Sequence, residues 1–214
     1  MSGVSAVKLL VASNNAKKLR ELRRILDGAG VEGVELVSLS EVDAYPEPVE
    51  DGRTFADNAL IKARAGVAHT GLPTVADDSG LAVEELGGMP GVLSARWSGG
   101  HGDDEANNRL LLAQMGDVPD ARRAAAFVSV CALVLPGGEE IVSEGRWEGR
   151  LLREPVGENG FGYDPLFAPL DGDGRSSAQL SPEEKDASSH RARALAGLTG
   201  RIALLAGSAD EGEQ

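Results

Sequence analysis

Three apolar runs of strand length alternate with two stretches of helical period in the N-terminal part of the chain, and that order restricts the fold more than any other feature. The runs are VKLLVAS (Val7–Ser13), VELVSL (Val34–Leu39) and PTVAD (73–77), the last delivering Asp77 and Asp78 to its C-terminal end. Between the first two, Leu19, Leu22, Ile25 and Leu26 recur at helical spacing and Gly28 and Gly30 stop the pattern. Between the second and third, Phe55, Ala59, Leu60, Ala63 and Val67 line one helix face, and Gly71 ends it. Strands separated by helices have to lie in a sheet covered by those helices.

The texture then changes. Residues 87–102 form a glycine-rich loop, with a short strand expected around Ser94–Trp97, and a helix begins near Asp103 or Asp104. AAAFVSVCALVL and EEIVSEGRWEGRLL read as two long strands joined at Pro136-Gly137-Gly138, a hairpin signal. In the last segment Ser181, Pro182 and Glu184 fit a capping box with proline at the first helical position. The expectation is an α/β fold: an elongated mixed β-sheet flanked by helices, two lobes with a central cleft. One domain spans 1–207, and 208–214 is an acidic C-terminal tail.

Net charge is −13, which repels nucleic acid and anionic membrane surfaces and argues against both as partners. No apolar run approaches the roughly 20 residues that span a bilayer, and Met1–Ala6 lacks the basic stretch and apolar core of a signal peptide. These observations place the protein in the cytoplasm. Cys131, the single cysteine, sits in an apolar run and reads as a small buried hydrophobe.

Five stretches carry side chains suited to chemistry, and each has a plainer reading. SNNAKKLRE (13–21) turns from strand to helix, so backbone N–H groups and Lys17 or Lys18 can meet phosphate; the plainer reading is a capped helix with solvated lysines. In EDGRTFADNALIKA, Asn58 and Lys62 are four apart on one helix face, and Lys62 either reaches a polar site or snorkels to water. Asp77 and Asp78 are consecutive, directly in front of an expected Ser79-Gly80 turn, so on a strand they point to opposite sides; one faces a ligand while the other braces the turn. Oxygen-only donors there favour Mg²⁺, and an Asx turn without metal is the alternative. GENGFGYDPLF sets glycines around Phe161 and Tyr163, leaving a ring accessible to a flat ligand, with Asp164 held extended before Pro165; a buried structural turn is the other reading. EEKDASSHRARAL adds Lys185 and the donor-rich pair His190-Arg191, which elsewhere would be surface decoration.

Taken together and in this order, the blocks ASNNAKKLREL, TFADNALIKA, ADDSGLAVEELGGMPGVLSARWSG, GFGYDPLF and EEKDASSHRARAL resemble the inosine/xanthosine triphosphate pyrophosphatase family. The resemblance runs from Leu9 to about Leu205. It implies Mg²⁺-dependent hydrolysis of a non-canonical purine nucleoside triphosphate (ITP, dITP, XTP) to the monophosphate and pyrophosphate in the nucleotide-binding cleft, and a homodimer. Carried over by position, Ser13, Asn14, Asn15, Ala16, Lys17 and Lys18 form the phosphate turn. Glu50 and Asp78 are the metal-side carboxylates, Asp78 is also the proton acceptor, and Lys62 and Ser79 contact substrate. Phe161, Gly162, Tyr163 and Asp164 with His190-Arg191 recognise the base, and Lys185 is a further substrate-binding lysine. The family motif carries Thr-Gly before its asparagine, whereas Ser13-Asn14 stands here; a positive φ at that turn would suit Asn14 better than most residues.

Overall fold

The computed structural model describes residues 6–208. Six strands form one mixed sheet in the order β2-β1-β3-β4-β5-β6: β1 Val7–Val11, β2 Val34–Ser38, β3 Thr74–Val83, β4 Ala124–Val134, β5 Glu140–Leu151 and β6 Phe167–Pro169. β1 pairs in parallel with β2 (Leu9 opposite Leu36) and with β3 (Val11 opposite Val75), while β6 runs antiparallel to β5 (Arg150 opposite Ala168). The helices are α1 Ala16–Gly28, α2 Phe55–Thr70, α3 Asp104–Gln114, α4 Pro182–Ser188 and α5 His190–Ser208. The expected mixed sheet flanked by helices is therefore present.

The chain divides into two compact units. The described part of the first comprises 6–78, 130–144 and 192–208; the second is Ser79–Ser129 with Gly145–Arg191.

In the first unit, strand alternation sorts the core onto the two faces of the sheet. Leu9, Val11, Val75, Cys131 and Leu133 pack with Leu22 and Leu26 of α1 and with Leu195, Leu198 and Ile202 of α5. Ala76, Val130, Ala132 and Val134 pack with Ala59 and Ala63 of α2. The small residues on α2 permit close approach: a Cβ at Gly66 would lie 2.6 Å from Thr74 Cγ2 and 2.9 Å from Leu10 Cδ2. Thr54 caps α2 by accepting from the Asp57 N–H, and Gly71 ends it at φ 69° in the left-handed region.

In the second unit Leu81, Val83, Phe127, Trp147, Leu166 and Phe167 enclose Leu111 of α3 and Met115, the residue that caps its C-terminus. β5 alternates exposed and buried residues from Glu144 onward, as expected for a strand with one face in water, whereas β4 is buried almost throughout.

Five expectations need correction. β3 does not end at Asp77 but runs on to Val83. Gly80 is a place of close contact and not a turn: an added Cβ would sit 2.6 Å from the Gly91 carbonyl oxygen and collide with Ser94. The segment around Ser94 is a 3₁₀ helix, Gly91–Arg96, because Ser94 Oγ accepts the Leu81 N–H (2.9 Å) and donates to the Gly91 carbonyl (2.6 Å), pinning a tight turn against β3. Asp164 opens a 3₁₀ turn, Asp164–Leu166, in place of an extended pre-proline residue. Ser208 belongs to α5, and the rest of the expected tail, 209–214, lies outside the described residues.

Candidate active site

Each unit carries one cluster of the residues singled out above. In the first, alternation along β3 sends Asp77 to the α1 side of the sheet and Asp78 to the α2 side, continuing Val75 and Ala76. Asp77 Oδ2 pairs with Lys18 Nζ at 2.9 Å, both side chains being largely buried. Asp77 thus braces Lys18 in the first turn of α1. On the other face Asp78 Oδ2 accepts from Asn58 Nδ2 (2.9 Å), and its Oδ1 lies 3.8 Å from Lys62 Nζ. The same ammonium donates to Glu50 Oε2 at 3.1 Å, so the two carboxylates expected to act together converge on one cation. Burial raises the Asp78 pKa above the ordinary carboxylate value, against the opposing pull of Lys62, the Asn58 hydrogen bond and Lys18.

Around α1 the turn is shaped by its own side chains. Asn15 donates its N–H to Ser13 Oγ (3.2 Å), and Asn15 Oδ1 accepts from the Lys18 N–H (3.4 Å), the position of a helix N-cap. Asn14 is exposed and donates to Glu47 Oε1 at 3.4 Å. Among the described residues only glycines have positive φ, so the left-handed geometry considered for Asn14 is not adopted. Ala16 and Lys17 open α1, their side chains lying outside the described ones.

The second cluster is built on a buried carboxylate. Asp164, 2 % exposed, takes Lys185 Nζ at 2.7 Å and the Phe161 N–H at 2.8 Å on Oδ2, and Ser177 Oγ at 2.7 Å on Oδ1. Phe161 is half-buried, with Lys185 Nζ 5.3 Å and the Arg191 guanidinium carbon 5.7 Å from its ring centre. Tyr163, by contrast, is a core residue: its hydroxyl donates to the Ser94 carbonyl (2.9 Å), and burial, with Asp104 second, raises its pKa. The accessible ring is therefore that of Phe161.

Gly162, at φ 62°, is gripped from both sides by α3: its N–H donates to Asp104 Oδ2 (2.7 Å) and its carbonyl accepts from Asn108 Nδ2 (3.0 Å). Arg191 donates to Ser79 Oγ at 3.0 Å, and the His190 ring stacks on Phe127 at 4.9 Å between centres and 16° between planes. Ser189 breaks the chain between α4 and α5 in extended geometry, which puts His190-Arg191 in the first turn of α5.

Sequence reasoning left Asn58, Asp104, Asn108 and Ser177 without a role. For Asn58 a signal existed: it precedes Ala59 and Ala63 on the α2 face turned to the sheet, where an amide needs polar partners. Asp104 and Asn108, four apart at the start of a helix, look like a solvated face until Gly162 is seen against them.

Chemically, the first cluster gathers acids and lysines where a polyanion and a small cation can be held together, and the second offers a cation-lined ring with fixed donors. The Ham1 family model matches residues 9–200. A dITP/XTP pyrophosphatase of Corynebacterium glutamicum is 72% identical over 203 residues, covering 94% of this chain and 98% of the relative. A Nocardia farcinica protein of the same name is 64% identical over 203 residues, 95% and 98% covered. The crystal structure of a nucleoside-triphosphatase / dITP/XTP pyrophosphatase from Mycobacterium abscessus superposes with TM-score 0.75 at 66% identity over 90% of this chain and 98% of that one. The Staphylococcus aureus Ham1 protein gives TM-score 0.81 at 35% identity, 94% and 99% covered.

Proposed function

This chain belongs to the Ham1 family, and from that premise we propose that it hydrolyses non-canonical purine nucleoside triphosphates such as dITP and XTP to the monophosphate and pyrophosphate. The observation that carries the reading is in the first unit, where Asp78 of β3 sits among Glu50, Asn58 and Lys62.

Lys18 and Lys62 neutralise the phosphate tail, and the N-terminal turn of α1 adds N–H donors. Asp78 is the catalytic residue that orients the attacking water and takes its proton. Its burial supports that role, since a desolvated carboxylate is a better base than one in water. Phe161 stacks on the purine while Arg191, His190 and Lys185 supply donors to its 6-oxo edge. Adenine, with an amino donor there, would leave a buried donor unmet at about 1–3 kcal/mol.

Glu50 and Asp78 fit Mg²⁺. They offer oxygen only and reach one cationic point, and no cage of three or more acidic, histidine or cysteine side chains occurs among the described residues. That donor set suits an ion that takes one or two carboxylates and completes its shell with water and phosphate. When bound, Mg²⁺ supplies charge neutralisation at the phosphate oxygens.

The deciding assay is pyrophosphate release from ITP, XTP, dITP, ATP and GTP, with Mg²⁺ and with excess EDTA. Release from ITP and XTP, silenced by EDTA and by Asp78→Asn, is the expected result. Binding of ITP without pyrophosphate release, as in a nucleotide sensor, would overturn the reading, as would full activity in EDTA. The same reading includes a homodimer, tested by sedimentation, and a cytoplasmic site of action, tested by cell fractionation; no helix among the described residues is long and apolar enough to cross a membrane.

A further inference from the structure

Asn58 is 1% exposed on α2, and its backbone N–H is spent on the helix, bonding to Thr54 O at 3.3 Å. Its side-chain amide is engaged at both ends: Oδ1 accepts the Gly52 N–H at 2.9 Å and Nδ2 donates to Asp78 Oδ2 at 2.9 Å. The orientation is forced, because a flipped amide would set donor against the Gly52 N–H and acceptor against a carboxylate.

Gly52 lies two residues after Glu50, and the next two N–H groups, of Arg53 and Thr54, are bonded to Asp57 Oδ2 at 3.1 and 3.0 Å. The loop that carries Glu50 is thus fastened to the first turn of α2, and Asn58 extends that fastening to β3 by a direct hydrogen bond to Asp78, beside the Lys62 ammonium that both carboxylates face. Gly52 is shaped for this contact: a Cβ there would stand 2.6 Å from Asn58 Oδ1 and 2.5 Å from Asp57 Cβ.

We propose that Asn58 is a positioning residue that locks the Glu50 loop to Asp78 and so holds the two carboxylates at one working separation. The inference rests on the reading that Glu50 and Asp78 act as a pair. An aspartate at 58 would keep the Gly52 contact but turn a carboxylate toward Asp78. An alanine would lose both ends.

The test uses the full chain with Asn58→Ala and Asn58→Asp, read by amide hydrogen exchange without nucleotide and by steady-state kinetics on ITP with Mg²⁺. In Asn58→Ala the Gly52 amide exchanges about tenfold faster or more, while Arg53 and Thr54, held by Asp57, change little. In Asn58→Asp, a near-isosteric change that guards against a folding failure, Gly52 stays protected. In both variants kcat falls roughly 10²-fold with KM within about threefold, the signature of misplaced catalytic groups. Combining Asn58→Ala with Gly52→Ala costs no more than the worse single change, because both break one joint. An unchanged Gly52 exchange rate in Asn58→Ala, or wild-type kcat in either folded variant, would overturn the proposal. If Asp78→Asn and Glu50→Gln are silent while Asn58→Ala turns over normally, only the positioning role fails. If Glu50→Gln and Asp78→Asn themselves remain active, the reading beneath it fails.

Discussion

Replacing Gly66 with alanine sets two well-measured effects against each other. In a helix interior the change gains about 1 kcal/mol of propensity. At this position the new Cβ would meet Thr74 Cγ2 at 2.6 Å, Thr74 Oγ1 at 2.9 Å and Leu10 Cδ2 at 2.9 Å, all on strands buried beneath α2. Contacts that short oblige helix or strand to move, and overpacking of this kind costs about 1–3 kcal/mol. The net expectation is a loss of about 0–2 kcal/mol, which for a chain of this size lowers Tm by roughly 2–4 °C per kcal/mol. Gly200 supplies the control. It lies on the exposed side of α5 with no atom within 4 Å of an added Cβ, so the same substitution should raise stability by about 0.5–1 kcal/mol. Thermal unfolding followed by circular dichroism, without nucleotide and at one pH, measures both. Opposite signs are expected. A Gly66→Ala protein stabilised as much as Gly200→Ala would show that α2 does not approach the sheet so closely, and with it the placing of Asn58 and Lys62 against Asp78 would fall. Because Gly66 lies one turn beyond Lys62, kcat should drop further than the Tm change alone accounts for.

Arg191→Ala should shrink the kcat/KM preference for ITP over ATP by roughly 5–150-fold, the equivalent of about 1–3 kcal/mol for unmet donors, and an unchanged ratio would move base recognition elsewhere. Asp104→Ala removes the acceptor of the Gly162 N–H and should raise KM for ITP about fivefold or more with kcat nearly constant, since only the Phe161 loop is loosened. The Glu184 carboxyl is held at about 2, chiefly by the Arg175 guanidinium and then by the Ser181 N–H. Its folded pKa is depressed, so the stabilisation is present above the ordinary value of 4.5 and is lost as pH falls toward 2. Urea midpoints across that window should therefore fall less steeply in Arg175→Ala than in the wild type, and equal slopes would refute the pairing.

Much of the site's direction was written in the sequence. A strand of period two must send Asp77 and Asp78 to opposite faces, and the capping patterns at Thr54 and Ser181 are local hydrogen bonds that local residues specify. The same local reading misjudged Gly80 as part of a turn, because glycine marks close approach as readily as it marks a bend. Only the 3₁₀ segment folded over it, with Ser94 bonded to the Leu81 N–H, tells the two apart. Phe161 and Tyr163 looked alike on paper; a hydroxyl reaching the Ser94 carbonyl, 69 positions away, makes one of them core and leaves the other half-buried beneath two cations. Pattern and capping depend on neighbours within a turn or two, so the chain by itself determined where elements lie and which way their side chains face. Which donor meets which acceptor, as in the span from Gly52 through Asn58 to Asp78, depends on ångström-scale packing of distant segments, and tertiary structure alone decided that.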